Sequence, residues 1–355
     1  MTSPDRPSHY AFDDLRPFAE RLFGAAGLDA DKAGAVARIL IEADLMGHAT
    51  HGLALAPFYL EAAQSGALRT RGEPDVVADR GACVTWRGKR LPGPWLVARA
   101  VDLALERVAT YGTVTVAISD SHHIGALAAY LERATERGYM LTIASSMPSL
   151  AGVAPYGGTR PVFTPNPLAA GIPTEGDPIL LDVSASITTI NMSKQLARAG
   201  KSYDRPWLLD KDGRPSADPQ VVLGQGGTIL PAGGLDHGHK GYSWALLVEA
   251  LSTLTGFGRA DHPTGTCVSV FVQAIDPEAF GSRAEFQRQM QFLAEACRTN
   301  PPRPDVDRVR VPGERAMAHK RRALAQGVPL SPAIVEGLAA WGDKLGVALP
   351  AARPA

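Results

Sequence analysis

Cysteine is scarce in this 355-residue chain: Cys83, Cys267 and Cys297 are far apart and form no C-x-x-C pair. That argues against a disulfide framework or a zinc–thiolate site and fits a reducing compartment, so a cytoplasmic protein is expected. Net charge is lacking too, since 36 Lys plus Arg balance 36 Asp plus Glu. With no global pull on a polyanion, nucleic acid is not an expected partner. No uncharged apolar run reaches the roughly 18–20 residues of a bilayer span. Met1–Tyr10 is polar with two prolines, unlike a signal peptide. Nowhere does a strand lead into G-x-G-x-x-G, and nothing matches G-x-x-x-x-G-K-[ST], so the Rossmann and P-loop phosphate cradles are missing.

What is present is ordinary globular material, 45% apolar and 20% charged. Phe12, Leu15, Phe18, Leu22 and Phe23 recur at helical spacing up to Gly27, and a second helix is predicted from Asp29–Asp31 to Gly47. A third covers Ala54–Gln64, so residues 1–75 read as a helical subdomain. From there the texture turns β-branched. Val76-Val77, Cys83–Trp86, Thr113–Ile118, Tyr139–Ala144, Ile179–Val183 and Thr266–Ala274 read as strands, with a helix over Gly93–Thr110. A helix is also predicted over 124–137, stopped by Gly138, and another over 276–300. Residues 145–178 are rich in Gly and Pro with little periodicity, a length of loop more often functional than idle. Lys240–Thr255 is apolar on nearly every side and reads as a central buried helix.

Four stretches carry candidate chemistry. In His48-Ala49-Thr50-His51-Gly52 a hydroxyl adjoins an imidazole, which suits acid/base work; the same histidines also fit a helix-to-helix corner, satisfying backbone groups. His122-His123 is placed at the start of the predicted 124–137 helix, whose dipole favours a neutral ring, or is an exposed pair with no role. Asp182 ends an apolar strand, where a carboxylate needs a partner such as a histidine, or caps a turn. Gly238-His239-Lys240-Gly241 before the buried helix has the makings of a pyrophosphate site, though glycine and lysine also punctuate helix starts.

Taken in order, these stretches resemble the malate/L-lactate dehydrogenase-like family, which includes ureidoglycolate and sulfolactate dehydrogenases and piperideine-2-carboxylate (ketimine) reductases. The carriers are Ala43-Asp44-Leu45 through Thr50-His51-Gly52, Ser121 to Gly125, Val153 to Gly158, Asn166-Pro167-Leu168, Leu181-Asp182-Val183, Gly238 to Tyr242 and Val311 to Arg315. The resemblance implies an α+β or α/β fold: the helical N-terminal subdomain, an α/β core over 76–300 and a C-terminal segment, 301–355, returning to the helices. Its nicotinamide-binding domain, about 113–260, is non-Rossmann and largely antiparallel. Thr50, His51 and Asp182 are then the expected proton relay, with His123 a second acid/base histidine. NADH or NADPH, undecided between the two, is expected along His123, Ser146, Asn166-Pro167-Leu168, Asp182-Val183-Ser184, His239-Lys240-Gly241 and Glu314. Homodimers with the site near the subunit interface are implied, and no metal.

The chain departs from the family at its substrate grip. An arginine four residues after the relay histidine is replaced by Leu55, and another by Met46; with His48 and Tyr156 these are the expected pocket residues. Where relatives often read Ala-Arg-Gly-Lys, this chain reads Thr189-Ile190-Asn191-Met192. Leucine cannot replace a bidentate arginine–carboxylate contact, so the expected substrate is larger, less anionic, or an imine rather than a simple 2-oxo acid. Two rivals stand beside this reading. One is a metal-dependent hydrolase using His48, His51, His122, His123, His237 and His239, which lack a H-E-x-x-H pattern; the other is a family member that has lost activity.

Overall fold

The computed structural model describes residues 7–353, so residues 1–6 of the polar N-terminal stretch lie outside it. In chain order the helices are α1 (Phe12–Ala25), α2 (Ala30–Leu45), α3 (Ala56–Ser65), α4 (Gly93–Tyr111), α5 (Glu132–Thr135), α6 (Ile190–Arg198), α7 (Gly234–Ser252), α8 (Arg283–Arg298), α9 (Glu314–Gln326) and α10 (Pro332–Leu345). The strands are β1 (Ser8–Tyr10), β2 (Asp75–Asp79), β3 (Cys83–Arg87), β4 (Thr113–Ser121), β5 (Met140–Ser146), β6 (Leu168–Ile172), β7 (Ile179–Val183), β8 (Leu208–Leu209), β9 (Pro215–Ser216), β10 (Thr228–Ile229), β11 (Val268–Ile275) and β12 (Val328–Leu330).

Alternation builds the main sheet, whose strand order is β2-β3-β4-β11-β5-β6-β7. Along β11, Val268, Val270, Val272 and Ala274 point to one side with Val114, Val116 and Ile118 of β4; Phe271 points to the other. Helix α4 covers the first side through Leu96, Val97, Val101 and Leu105. Helix α7 covers the second through Val248 and Leu251, against Ala144 and Phe271. Only β3–β4 is parallel, because α4 carries the chain back across the sheet between them; every other pair is antiparallel. The fold is thus mixed α/β around a mostly antiparallel sheet, without a Rossmann unit.

A second core gathers the chain ends. Phe18 and Leu22 of α1, Val36 and Leu40 of α2 and Tyr59 of α3 pack with Ala323, Val328, Leu330 and Leu338 from the C-terminal elements, and β12 pairs antiparallel with β1. A smaller cluster (Val153, Phe163, Tyr203, Leu208) holds the three short strands β10-β8-β9 against the irregular 150–230 region. No helix among the described residues is long and apolar enough to cross a membrane.

Two predicted helices come out differently. The 124–137 stretch is not one helix: residues 122–126 run as a loop, Leu127–Tyr130 forms one 3₁₀ turn and α5 is a single turn. Buried Tyr130, whose hydroxyl donates to the Ile124 carbonyl, ties the loop down and consumes a backbone acceptor the helix would need. The helix predicted over Lys240–Thr255 is α7, which begins earlier at Gly234, kinks at His237 and ends at Ser252, and it is not buried all round. It presses Gly241, Ala245 and Val248 inward and leaves Leu246 and Leu247 exposed, because the sheet covers only one side of it.

Candidate active site

His48 and His51 ride on the turn that follows α2, and a buried carboxylate sets that turn. Asp44 falls on the same helical face as Val36 and Leu40, so folding takes it inside, 2% exposed. Its Oδ2 accepts from the Leu53 N–H at 2.8 Å, while Oδ1 has no partner. A Cβ on Gly52 would stand 2.1 Å from Oδ1, so glycine is required for the chain to pass so close. Burial pushes the Asp44 carboxyl up to about 7, partly offset by the Leu53 N–H. An Asp whose folded pKa exceeds its unfolded 3.8 binds more protons when folded, so stability drops as pH rises from about 4 to about 7. Urea titrations should therefore show Asp44→Asn gaining on the parent through that window, by at most on the order of 4 kcal/mol, with a level gap above it. A gap independent of pH would show that Asp44 is already charged in the folded chain.

The neighbouring histidine pair is held by α3. Tyr59 donates its hydroxyl to the His123 carbonyl at 2.6 Å, and the Gly125 N–H donates to His123 Nδ1 at 3.2 Å. Nδ1 is thereby an acceptor, which leaves the neutral ring's proton on Nε2. Burial, then the nearby His51 and His122 rings, push His123 down to about 3. The expected helix dipole is not the cause, since no helix starts there. His122 points elsewhere: it is wholly buried, stacks on Phe58 and has both ring nitrogens unpartnered. Gly93, at the start of α4, passes so near that a Cβ would lie 2.2 Å from the His123 carbonyl oxygen and 2.4 Å from that of His122.

One cavity of about 660 Å³ collects these groups. His48, His51 and His123 line it together with Asp182 from the end of β7. The His51 and His123 rings lie 6.1 Å apart, centre to centre, nearly parallel. Thr50 sits behind, its Oγ1 2.9 Å from His51 Nδ1. Burial lowers the pKa of His51, opposed by the charge of Asp182 and reinforced by His48. Asp182 accepts from the Ala128 N–H at 2.9 Å; burial raises its pKa, and that N–H with His48 and His51 hold it down. Residues far apart in sequence, 48–51, 123 and 182, are thus brought to one place.

The rest of the lining comes from residues 124–127, the end of β5 (Ser145, Ser146) with Met147, the loop 150–152, Thr164, Pro165, Pro167, Ser184, Val268 and the first turns of α6 (Thr189, Ile190, Asn191, Lys194). Thr189-Ile190-Asn191-Met192 opens that helix, Thr189 Oγ1 accepting from the Met192 N–H as its N-cap.

Several residues expected at the site lie off this lining. Asn166 is fully buried, with a positive φ of 46°; its amide donates to the Ala245 carbonyl and Glu249 while Pro167 beside it faces the cavity. Leu168 faces α7, Val183 is exposed, and Glu314 is taken up by Arg298. Lys240 and His239 point to solvent, and Gly241 is wedged against the Ala232 and Ala185 backbone. Tyr156 is exposed and donates to the Leu235 carbonyl. Met46 belongs to the main core and Leu55 packs on the helical one. Some of these positions pack elements beside the cavity and others face solvent; spacing along the chain does not reveal which side chains turn inward.

Sequence reasoning missed Glu249, which accepts from Ser146, Asn166 and Arg259 and so braces two cavity walls. It also assigned no part to Asp44, Tyr59, Gly93 or Lys194. Asp44 alone had a signal, a charge on an apolar helical face. Among the described residues no group of three or more His, Cys, Asp or Glu is arranged to hold a metal ion.

Residues 10–339 match the family described as malate/L-lactate dehydrogenase. The (2R)-3-sulfolactate dehydrogenase (NADP(+)) of Chromohalobacter salexigens is 35% identical over 335 residues, covering 89% of this chain and 93% of that protein. The L-lactate dehydrogenase of Cupriavidus necator is 30% identical over 347 residues, 95% and 98% of the two chains. The solved malate dehydrogenase of Entamoeba histolytica, 24% identical, superposes with a TM-score of 0.91 over 98% of this chain and 100% of that one, a likeness of fold. With that match running over nearly its whole length, the chain belongs to the malate/L-lactate dehydrogenase family of oxidoreductases.

Proposed function

We propose that the protein exchanges hydride between NADH or NADPH and the C=O/C–OH carbon of a small 2-oxo/2-hydroxy acid, or the C=N carbon of a cyclic imine acid. The observation that carries this reading is the meeting of His51, His123 and Asp182 in one cavity of a chain from this family. The two sequence relatives named above are called sulfolactate and lactate dehydrogenases, and both of those substrates are 2-hydroxy acids, which supports the acid class. At about 660 Å³ the cavity falls within the roughly 300–1,000 Å³ usual for cofactor and ligand sites. Its mixture of apolar wall (Leu127, Leu150, Val268) and hydroxyls (Ser145, Thr164, Ser184) fits a flat amide-bearing ring beside a small acid.

In this reading Pro167, Ser145 and Thr164 would hold a nicotinamide, which would supply hydride exchange. His51 gives its proton to the substrate oxygen or nitrogen as the carbon receives hydride, and takes it back in the reverse direction. Asp182 stabilises the charged imidazole, and Thr50, able to donate or accept, follows Nδ1 through both states. His123, neutral with its proton on Nε2, offers a hydrogen bond instead of a charge. Among the described residues no arginine lines the cavity, which supports a preference for substrates other than pyruvate and oxaloacetate. The resemblance also implies a second copy of the chain, and the exposed Leu246 and Leu247 on α7 offer an apolar face for it.

The test is a panel of pyruvate, oxaloacetate, 3-sulfopyruvate, bulkier 2-oxo acids and a cyclic imine carboxylate, each with NADH and NADPH. Loss of reduced-nicotinamide absorbance is followed, and light scattering on the same sample reads whether two chains associate. Turnover of a bulkier acid or imine above pyruvate is expected. Folded protein that oxidises neither dinucleotide with any of them ends the proposal; rapid turnover of pyruvate or oxaloacetate at ordinary KM ends its substrate preference.

A further inference from the structure

We propose that Lys194 is the residue that grips the oxyanion of the ligand in this cavity, in place of the two arginines this chain lacks. The inference rests on the proposed oxidoreductase reading for the identity of that ligand. Beside His48, His51 and His123, Lys194 is the one lysine or arginine side chain among the described residues that lines the cavity.

Helical geometry puts that cation there. Ile190, Asn191 and Lys194 are spaced i, i+1 and i+4 on α6, so Asn191 and Lys194 share a face, and all three line the cavity. Next to Lys194 on the helix, buried Ser193 bonds the Tyr203 hydroxyl at 2.7 Å, which fixes the rotation of α6. Thr189 caps the first turn, so the helix starts at the cavity wall and its free N–H groups add positive potential beside the ammonium.

Lys194 is also uncommitted. Among the described residues it forms no ion pair or hydrogen bond, whereas Lys320 is held by Glu42 and Glu132, and Arg259 by Glu249. Leu55 and Met46, which stand where arginines are implied, are packed in the two cores away from the lining. The cation at the cavity wall of this chain is therefore on α6 and not at the α2–α3 corner. A flexible ammonium in place of a planar fork tolerates oxyanions of varied shape. Carboxylate, sulfonate and phosphate share the required chemistry, so the oxyanion belongs either to the acid substrate or to the dinucleotide.

The experiment compares the parent chain with Lys194→Met and Lys194→Arg. Binding of NADH and NADPH is read by fluorescence, and binding of oxalate, a small non-reacting dicarboxylate, by calorimetry. Thermal melts confirm that both variants fold. If the substrate's carboxylate is the ligand, Lys194→Met weakens oxalate about tenfold or more, leaves both dinucleotides within twofold, and Lys194→Arg restores most of the loss. If a dinucleotide phosphate is the ligand, the same substitution weakens NADH or NADPH and spares oxalate. A chain that binds these ligands equally well with Met at position 194 overturns the proposal. Should the parent bind neither dinucleotide, the oxidoreductase reading falls by itself and the oxalate arm alone decides Lys194; absence of oxalate binding in the parent as well overturns both.

Discussion

His51→Gln lowers kcat for reduction of the acid or imine by about 10²- to 10⁴-fold, the usual contribution of a positioned proton donor. The dinucleotide Kd stays within about twofold, because the lost group acts on the reacting atom as charge develops. The pH profile supplies an independent readout. Reduction needs His51 protonated, so kcat/KM falls as pH rises through its pKa in the free enzyme, and oxidation shows the mirror-image rise. Burial moves that pKa below the ordinary histidine value of 6.5, against the pull of the Asp182 charge. The limb therefore lies on the acid side of 6.5 and moves further acid in Asp182→Asn. A limb that stays put would show that Asp182 carries a proton in the resting site. His123→Asn tests the division of labour: His123 is already neutral, so its loss removes a hydrogen bond and leaves the His51 limb in the profile.

Gly93→Ala carries the second large effect, although Gly93 touches no part of the cavity. The added Cβ would stand 2.2 Å from the His123 carbonyl oxygen, where contacts under 3.0 Å essentially never occur. Both partners are backbone, so the 122–123 segment has to retreat by about 1 Å, carrying the His123 ring with it. Misplacement of that size costs about 10²-fold in rate, and the crowding itself destabilises the fold by about 1–3 kcal/mol. Steady-state kcat/KM and urea unfolding read the two effects separately. Gly24→Ala is the control, since a Cβ there meets nothing within 4 Å. Undiminished kcat/KM in folded Gly93→Ala would show that the position of His123 does not limit the reaction.

Much of the scaffold was legible because it follows from periodicity. Leu15, Phe18 and Leu22 announced α1, and the alternating valines of β4 and β11 announced the central strands, each being a local pattern with one buried side. Features that depend on distant partners were not. β1 and β12 are three residues each and pair across almost the whole chain, so neither has a pattern of its own. The 124–137 stretch carries helical spacing, yet the backbone bond made by Tyr130 and the anchoring of His123 by Tyr59 override it. The apolar circumference of α7 read as burial, whereas its sheet contact accounts for one side only.

The amino-acid sequence by itself determined the family and the mixed α/β class without a Rossmann phosphate loop, and it named His51, His123 and Asp182 as candidates for the chemistry. It could do so because ordered motifs and residue types survive without coordinates. Which side chains face one another was decided only by tertiary structure. Folding placed Asp44 beneath the His51 turn, split His122 from His123, and committed Asn166 to Glu249. It also withdrew Met46, Leu55 and Lys240 from the cavity and brought Lys194 to its wall. The reason is physical: burial, close backbone approach and charge pairing are properties of distance, and chain spacing fixes distance only within a helix turn or a strand pair.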